Sequence, residues 1–185
     1  MHPHALAVVL RVSVAEGRSV LFGSDLDRDG FRRLMASSLD LGADLLVYPH
    51  HGGLVARSTV TAEQSFAEKL TEAVKPQVVV FSNGRESHAN PRPEVVRGVR
   101  SAALTPRVRV VCTQLALACS PVVFRGGHRL DTSLGSTGAE GGLSCSGSLR
   151  LALVGDGPIL PLGSRHVSFV LEEVGDQALC VTEGG

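Results

Sequence analysis

A chain of 185 residues has the length of one ordinary domain with room for a small appendage, and it can bury a real core. Acidic and basic residues balance at 18 each, so the whole chain offers no net field for nucleic acid or an anionic membrane. Tryptophan is absent and aromatics are only 4% of residues, which argues against a stacking platform for single strands.

The first apolar stretch, Ala5–Val14, is too short to span a bilayer and is interrupted by Arg11. It also lacks the charged start and small-residue cleavage site of a secretory leader. A soluble, cytoplasmic chain is therefore expected. "ALAVVLRVSV" alternates loosely and is rich in β-branched residues, so it reads as a strand. "EG" turns the chain into a second strand, "RSVLFG", giving a hairpin. "DRDGFRRLMASSL" places Phe31, Leu34 and Met35 at helical spacing behind acidic residues, and reads as a helix.

"ADLLVYP" is a nearly continuous apolar run, the pattern of a strand covered on both faces. After it, "TAEQSFAEKLTEAV" has a threonine cap with a glutamate soon after, a helix that Pro76 closes. "QVVVFS" is another buried strand, "RPEVVRGVRSA" a helix with Pro93 in its first turn, and "RVRVVCT" a further strand. Strand and helix thus alternate to about residue 112, which implies an α/β layered architecture. Beyond Cys119, residues 120–145 are dominated by glycine and serine and read as a loop. Residues 146–185 recover apolar alternation in "SLRLALVG" and "HVSFVLEEV", so a small β-rich extension is expected there.

Chemistry-bearing residues gather at strand ends. Asp25 follows "SVLFG", His50 and His51 follow "DLLVY", and Asn83 follows "QVVVFS". In α/β layers such ends present side chains from a rigid base. Asp25 read singly is a turn former or helix cap, and two adjacent histidines suit exposure or a backbone bond as well as ligation. Gly52 and Gly53 shift that balance, because they let the backbone turn sharply beside a bound group. Carboxylate with neutral imidazole suits zinc, iron or manganese.

The text "SVLFGSDLD…ADLLVYPHHGG…PQVVVFSNGRESHANPRPEVV" resembles the second half of a metallo-β-lactamase-fold hydrolase, of the branch that includes the hydrolase domain of ComEC-type DNA-uptake proteins. The resemblance covers residues 5–117 and implies one αβ half of an αββα sandwich, over residues 1–119 here. By position it implies that Asp25 bridges two metal ions, zinc or manganese, and that His51 is a ligand. His50 is implied as a catalytic residue that contacts substrate or steadies the site. Asn83, His88 and Asn90 are implied as substrate contacts.

Two departures stand out. Ser24 occupies the position of a usual glycine, and Asn90 that of a usual histidine, with His88 two residues earlier. The family's first-half H-x-H-x-D-H run is also missing. His2 and His4 have its first spacing but run straight into a strand, and read as an accident of the start site or as a capping segment. Two metals need roughly four to six protein ligands, and Asp25 with the histidines supplies at most three. A missing N-terminal half, in the same chain or as a separate partner, is thus expected to complete the site. The completed centre would lower the pKa of a shared water towards about 7 and hydrolyse a phosphodiester. The competing expectation is a catalytically inactive binding or assembly module of the same fold. A nucleic-acid-binding domain rests only on arginine-containing stretches such as "RPEVVRGVR", which read more simply as a solvated helix face.

Cys112, Cys119, Cys145 and Cys180 lack C-x-x-C spacing, and buried free thiols are common core residues. A sharper expectation is a structural zinc held by these four, or by three of them with His128 or His166, pinning the tail. A disulfide would need an oxidising compartment.

Overall fold

The computed structural model describes residues 7–54, 59–85, 88–125, 128–160 and 164–180. The expected capping role of His2 and His4 lies outside the described residues. Five strands form one mixed sheet in the order β1-β2-β3-β4-β5: Leu10–Ser13, Ser19–Phe22, Leu45–Val47, Val78–Phe81 and Arg109–Cys112. β1 and β2 make the expected antiparallel hairpin, and β2 to β5 run parallel. The α/β class read from the alternation is the class observed.

Register explains why the parallel strands read as continuous apolar runs. Leu21, Leu46, Val79 and Val110 lie in line across the sheet, as do Val20, Leu45 and Val78 one residue earlier. Successive side chains point to opposite faces, so the first row enters one core and the second row another. Both faces are covered, which is why these strands are apolar through their middles, with Ser19 and Arg109 only at strand starts.

Helices cover the first face. α1 (Arg28–Ala36) buries Phe31 against Phe66, and it is capped by Asp27, whose side chain accepts from Gly30 N at 2.8 Å. α2 (Val60–Val74) buries Phe66, Ala67, Leu70 and Val74. Its cap is Thr59, two residues before the threonine the sequence suggested, and Lys75 ends it in the left-handed conformation before Pro76. α3 (Pro93–Ser101) packs closely on α2, because Gly98 has no side chain: a Cβ there would lie 2.2 Å from Gln64 O.

The second face is covered without regular structure. Ile159 and Leu160 are buried on Val20, Leu45, Val78, Val80 and Val111, flanked by Leu130, Leu149, Leu151 and Leu153. Arg18 N donates to Leu153 O at 2.8 Å and Ala152 N to Ile159 O at 2.9 Å, which fixes this segment on the hairpin.

The expected β-rich extension is corrected here. Residues 147–154 run without a strand partner, and "HVSFVLEEV" is helical: α4 (Ser164–Ser168) continues into a π-helical turn, Phe169–Val174. His166, Phe169, Val170 and Val174 are its more buried positions, a spacing of three and four that belongs to a helix. The core also crosses the expected boundaries at 119 and 145, since Cys119, Cys145 and Leu179 join the helical-side core. No helix among the described residues is long and apolar enough to cross a membrane.

Candidate functional site

Three loops leave the carboxyl ends of β2, β3 and β4 side by side, because those strands are parallel neighbours. This is where open parallel sheets place ligands. The loops are laced through their backbones. Gly23 N donates to Val47 O at 2.9 Å, His50 N to Ser24 O at 2.9 Å, and Arg92 N to Gly52 O at 2.9 Å. A cleft of ≈ 450 Å³ opens between them, lined by Asp25, His50, His51, Leu54, His88 and Arg92 together with Gly53 and Asn90.

The histidine loop is held in an unusual backbone. After Pro49, His50 and His51 both have positive φ, 49° and 56°, and Gly52 follows at 79°. Each left-handed non-glycine residue costs about 1–2 kcal/mol, so two in succession need a close surround to persist. Gly52 explains part of that closeness: a Cβ there would lie 2.6 Å from both the Phe81 ring and Pro91 Cβ. Ser24 is also left-handed, φ 49°, which gives a physical reason for glycine to be the easier residue there.

His51 Nδ1–H donates to the Ser82 carbonyl oxygen. That bond places the ring lone pair on Nε2, the arrangement that ligating histidines adopt when a carbonyl orients them. Asp25 faces the other histidine: His50 Nδ1 lies 3.5 Å from Asp25 Oδ1. The Asp25 side chain is 61% exposed and that of His50 only 17%, so the carboxylate sits at the open rim above a sunken imidazole.

The expected substrate contacts divide. His88 is exposed on the cleft wall. Asn90 is buried, and its Nδ2 donates to His50 O at 3.4 Å, so it steadies the histidine loop as well as lining the cleft. Asn83 does not reach the cleft lining. It is 5% exposed, and its Nδ2 donates to Asn90 O at 3.0 Å and to Gln114 O at 3.1 Å. Its Oδ1 accepts from Gln114 N at 3.2 Å and from Thr113 Oγ1 at 3.5 Å. A fully engaged amide braces the loop carrying Asn90 and has no bond left for a substrate.

Two residues of consequence were not singled out in the sequence. Arg92, just ahead of α3, puts a guanidinium on the cleft, with Nε 3.6 Å from Glu94 Oε1. The signal was its position before Pro93, at a helix start beside a strand end. Arg85 is 4% exposed and donates to the carbonyls of Leu115, Ser120 and Val122 at 2.8, 2.8 and 3.1 Å. It ties the β4 loop to the chain after β5, and only the tertiary fold reveals that task.

Among the described residues no group of three or more His, Cys, Asp or Glu side chains is arranged to hold a metal ion. Asp25, His50 and His51 therefore do not make a metal centre by themselves. Cys112, Cys119, Cys145 and Cys180, expected as ligands of a structural zinc, likewise form no such group among the described residues. The four thiols are free and lie together in the helical-side core, away from the cleft. His128 and His166 do not complete a set: His128 Nδ1–H donates to Cys145 O at 2.8 Å, and His166 Nδ1 lies 3.3 Å from His128 Nδ1. No protein-family model, curated protein or solved structure matches this chain.

Proposed function

We propose that the chain is one αβ half of a metallo-β-lactamase-like hydrolase acting on phosphodiesters, which turns over only when further donors join Asp25 and His51. The observation that carries this reading is the meeting of Asp25, His50 and His51 on one cleft at the carboxyl ends of parallel strands. His51 has its Nε2 lone pair set by the Ser82 carbonyl and is the ligand; Asp25 is the second donor. His50, beside Asp25, serves the reacting group. Arg92 and His88 on the cleft wall suit an anionic phosphoryl oxygen. β1 carries exposed Leu10 and Val12, and its outer edge is unpaired among the described residues. Such an edge is one to which a further strand adds.

The test is manganese and zinc titration of the chain by calorimetry, with hydrolysis of bis-p-nitrophenyl phosphate followed in wild type, Asp25→Ala and His51→Ala. Weak metal uptake lost in both variants, with little or no turnover by the chain alone, is the expected result. Robust turnover indifferent to Asp25→Ala would place the chemistry elsewhere.

A second reading, an inactive binding module of the same fold, is favoured by two observations. No three described donors are arranged to hold one ion, and the sheet face opposite the helices is already covered by Ile159 and Leu160. That reading expects phosphate-ester binding that Arg92→Ala abolishes and Asp25→Ala leaves unchanged.

A further inference from the structure

The C-terminal helical segment and the chain after β5 enclose a second cavity of ≈ 440 Å³, which shares no lining residue with the cleft of Asp25 and His51. Its size is that of a small-ligand pocket. Part of its wall is aromatic. Phe169 lies flat on the His128 ring with centroids 4.5 Å apart, and Phe124 meets Phe169 edge-on at 5.5 Å. Both phenylalanines are half-buried.

His128 is the residue of this wall that packing alone does not explain. It is 8% exposed, and its Nδ1–H is used on the Cys145 carbonyl oxygen at 2.8 Å. Nε2, on the other side of the ring from that bond, is buried without a hydrogen-bond partner among the described residues. A buried acceptor left bare costs stability, and a ligand that brings an N–H donor to it offsets that cost.

The charged residues narrow the ligand further. Arg125 and Arg165 line the cavity together with Glu172 and Glu173. All four are exposed, and among the described residues none of them forms an ion pair. A bare anion would meet two carboxylates beside the guanidiniums, and a bare cation the reverse. The ligand that suits the whole set has an anionic group for the arginines and hydroxyls that donate to the glutamates. It also has a flat ring with an N–H donor for the aromatic wall.

We propose that this cavity binds a nucleoside monophosphate. The base lies against Phe124 and Phe169, and its amino group donates to His128 Nε2. The ribose hydroxyls donate to Glu172 and Glu173, and the phosphate oxygens accept from Arg125 and Arg165. Arg165 and Phe169 belong to the C-terminal helical segment, and Arg125 and His128 to the chain after β5, so the ligand clasps the two together.

The experiment titrates the full folded chain with adenosine monophosphate by calorimetry. Saturable binding is expected, weakened about tenfold or more in the double variant Arg125→Ala/Arg165→Ala, whose positions are exposed and leave the fold intact. Purine riboside monophosphate, which lacks the amino group, should bind the unmodified chain about tenfold more weakly, so the role of His128 is read without altering a buried residue. Arg92→Ala, in the other cleft, should leave this dependence on the amino group in place. Absence of binding, undiminished affinity in the double arginine variant, or loss of all binding in Arg92→Ala would overturn the proposal. Inorganic phosphate binding as tightly as the nucleotide, or equal affinity for the riboside without its amino group, would overturn it too.

Discussion

The two faces of the sheet are built on the same five strands and covered by opposite means. On one face, α1, α2 and α3 lay down a periodic apolar surface, with Phe31, Phe66, Tyr48 and Phe81 in edge-on or tilted ring contacts 5.0–6.5 Å apart. On the other face, Val20, Leu45, Val78 and Val111 are sealed by a chain with no regular structure, held by single backbone bonds and a few leucines. A cleft of ≈ 680 Å³ remains in that cover, lined by Leu130, Leu149, Leu151 and Leu160. A helix satisfies its own backbone and so delivers side chains in dense, fixed rows. An irregular segment must spend its polar groups on scattered partners, and packs with more room to relax.

The largest effect is expected on the helical face. Leu70→Ala empties a site with 0% exposure between helix and sheet and should cost about 4 kcal/mol, read from urea unfolding. Arg85→Met comes next. It strands two buried carbonyls and one part-buried carbonyl of the chain after β5, and a loss of about 3 kcal/mol is expected from the same unfolding curves. If Arg85→Met proves neutral, the irregular chain does not depend on that clamp.

Acid should act on the C-terminal segment. Burial first, then His128 and Arg109, lower the His166 pKa from 6.5 to about 4. As pH falls through that window the unfolded chain takes up a proton that the folded chain refuses. The associated stability is whole above pH 6.5 and is lost as pH approaches 4. The loss amounts to about 2–3 kcal/mol, and His166→Gln should flatten that part of a stability–pH profile. The smallest effect sharpens the comparison most. Ile159→Ala, at 1% exposure on the second face, should cost only about 2 kcal/mol, because the irregular cover can settle into the space. A cost equal to that of Leu70→Ala would mean that both faces are packed alike.

The pH window and the Ile159 site both fall where the sequence was hardest to interpret. "HVSFVLEEV" offers alternation to anyone looking for a strand, yet His166, Phe169, Val170 and Val174 share one helical side. Short apolar stretches carry both periods, and the absence of a neighbouring strand decides between them. Asn83 shows the same limit within the site. Its place after a strand marked it as a ligand-facing residue, but four strand ends meet there, and an amide can be used up bracing one loop against another.

What the sequence determined by itself was the strand–helix alternation, each parallel strand and the approach of Asp25, His50 and His51. All of these follow from local pattern and from the rule that parallel strands end together. Only the tertiary structure decided that Asp25 pairs with His50 while His51 turns to Ser82, that Arg92 joins the cleft, and that Cys145 and Cys180 join Cys112 and Cys119 in one core. Those outcomes depend on contacts between residues far apart in the chain, and no local period in the sequence encodes them.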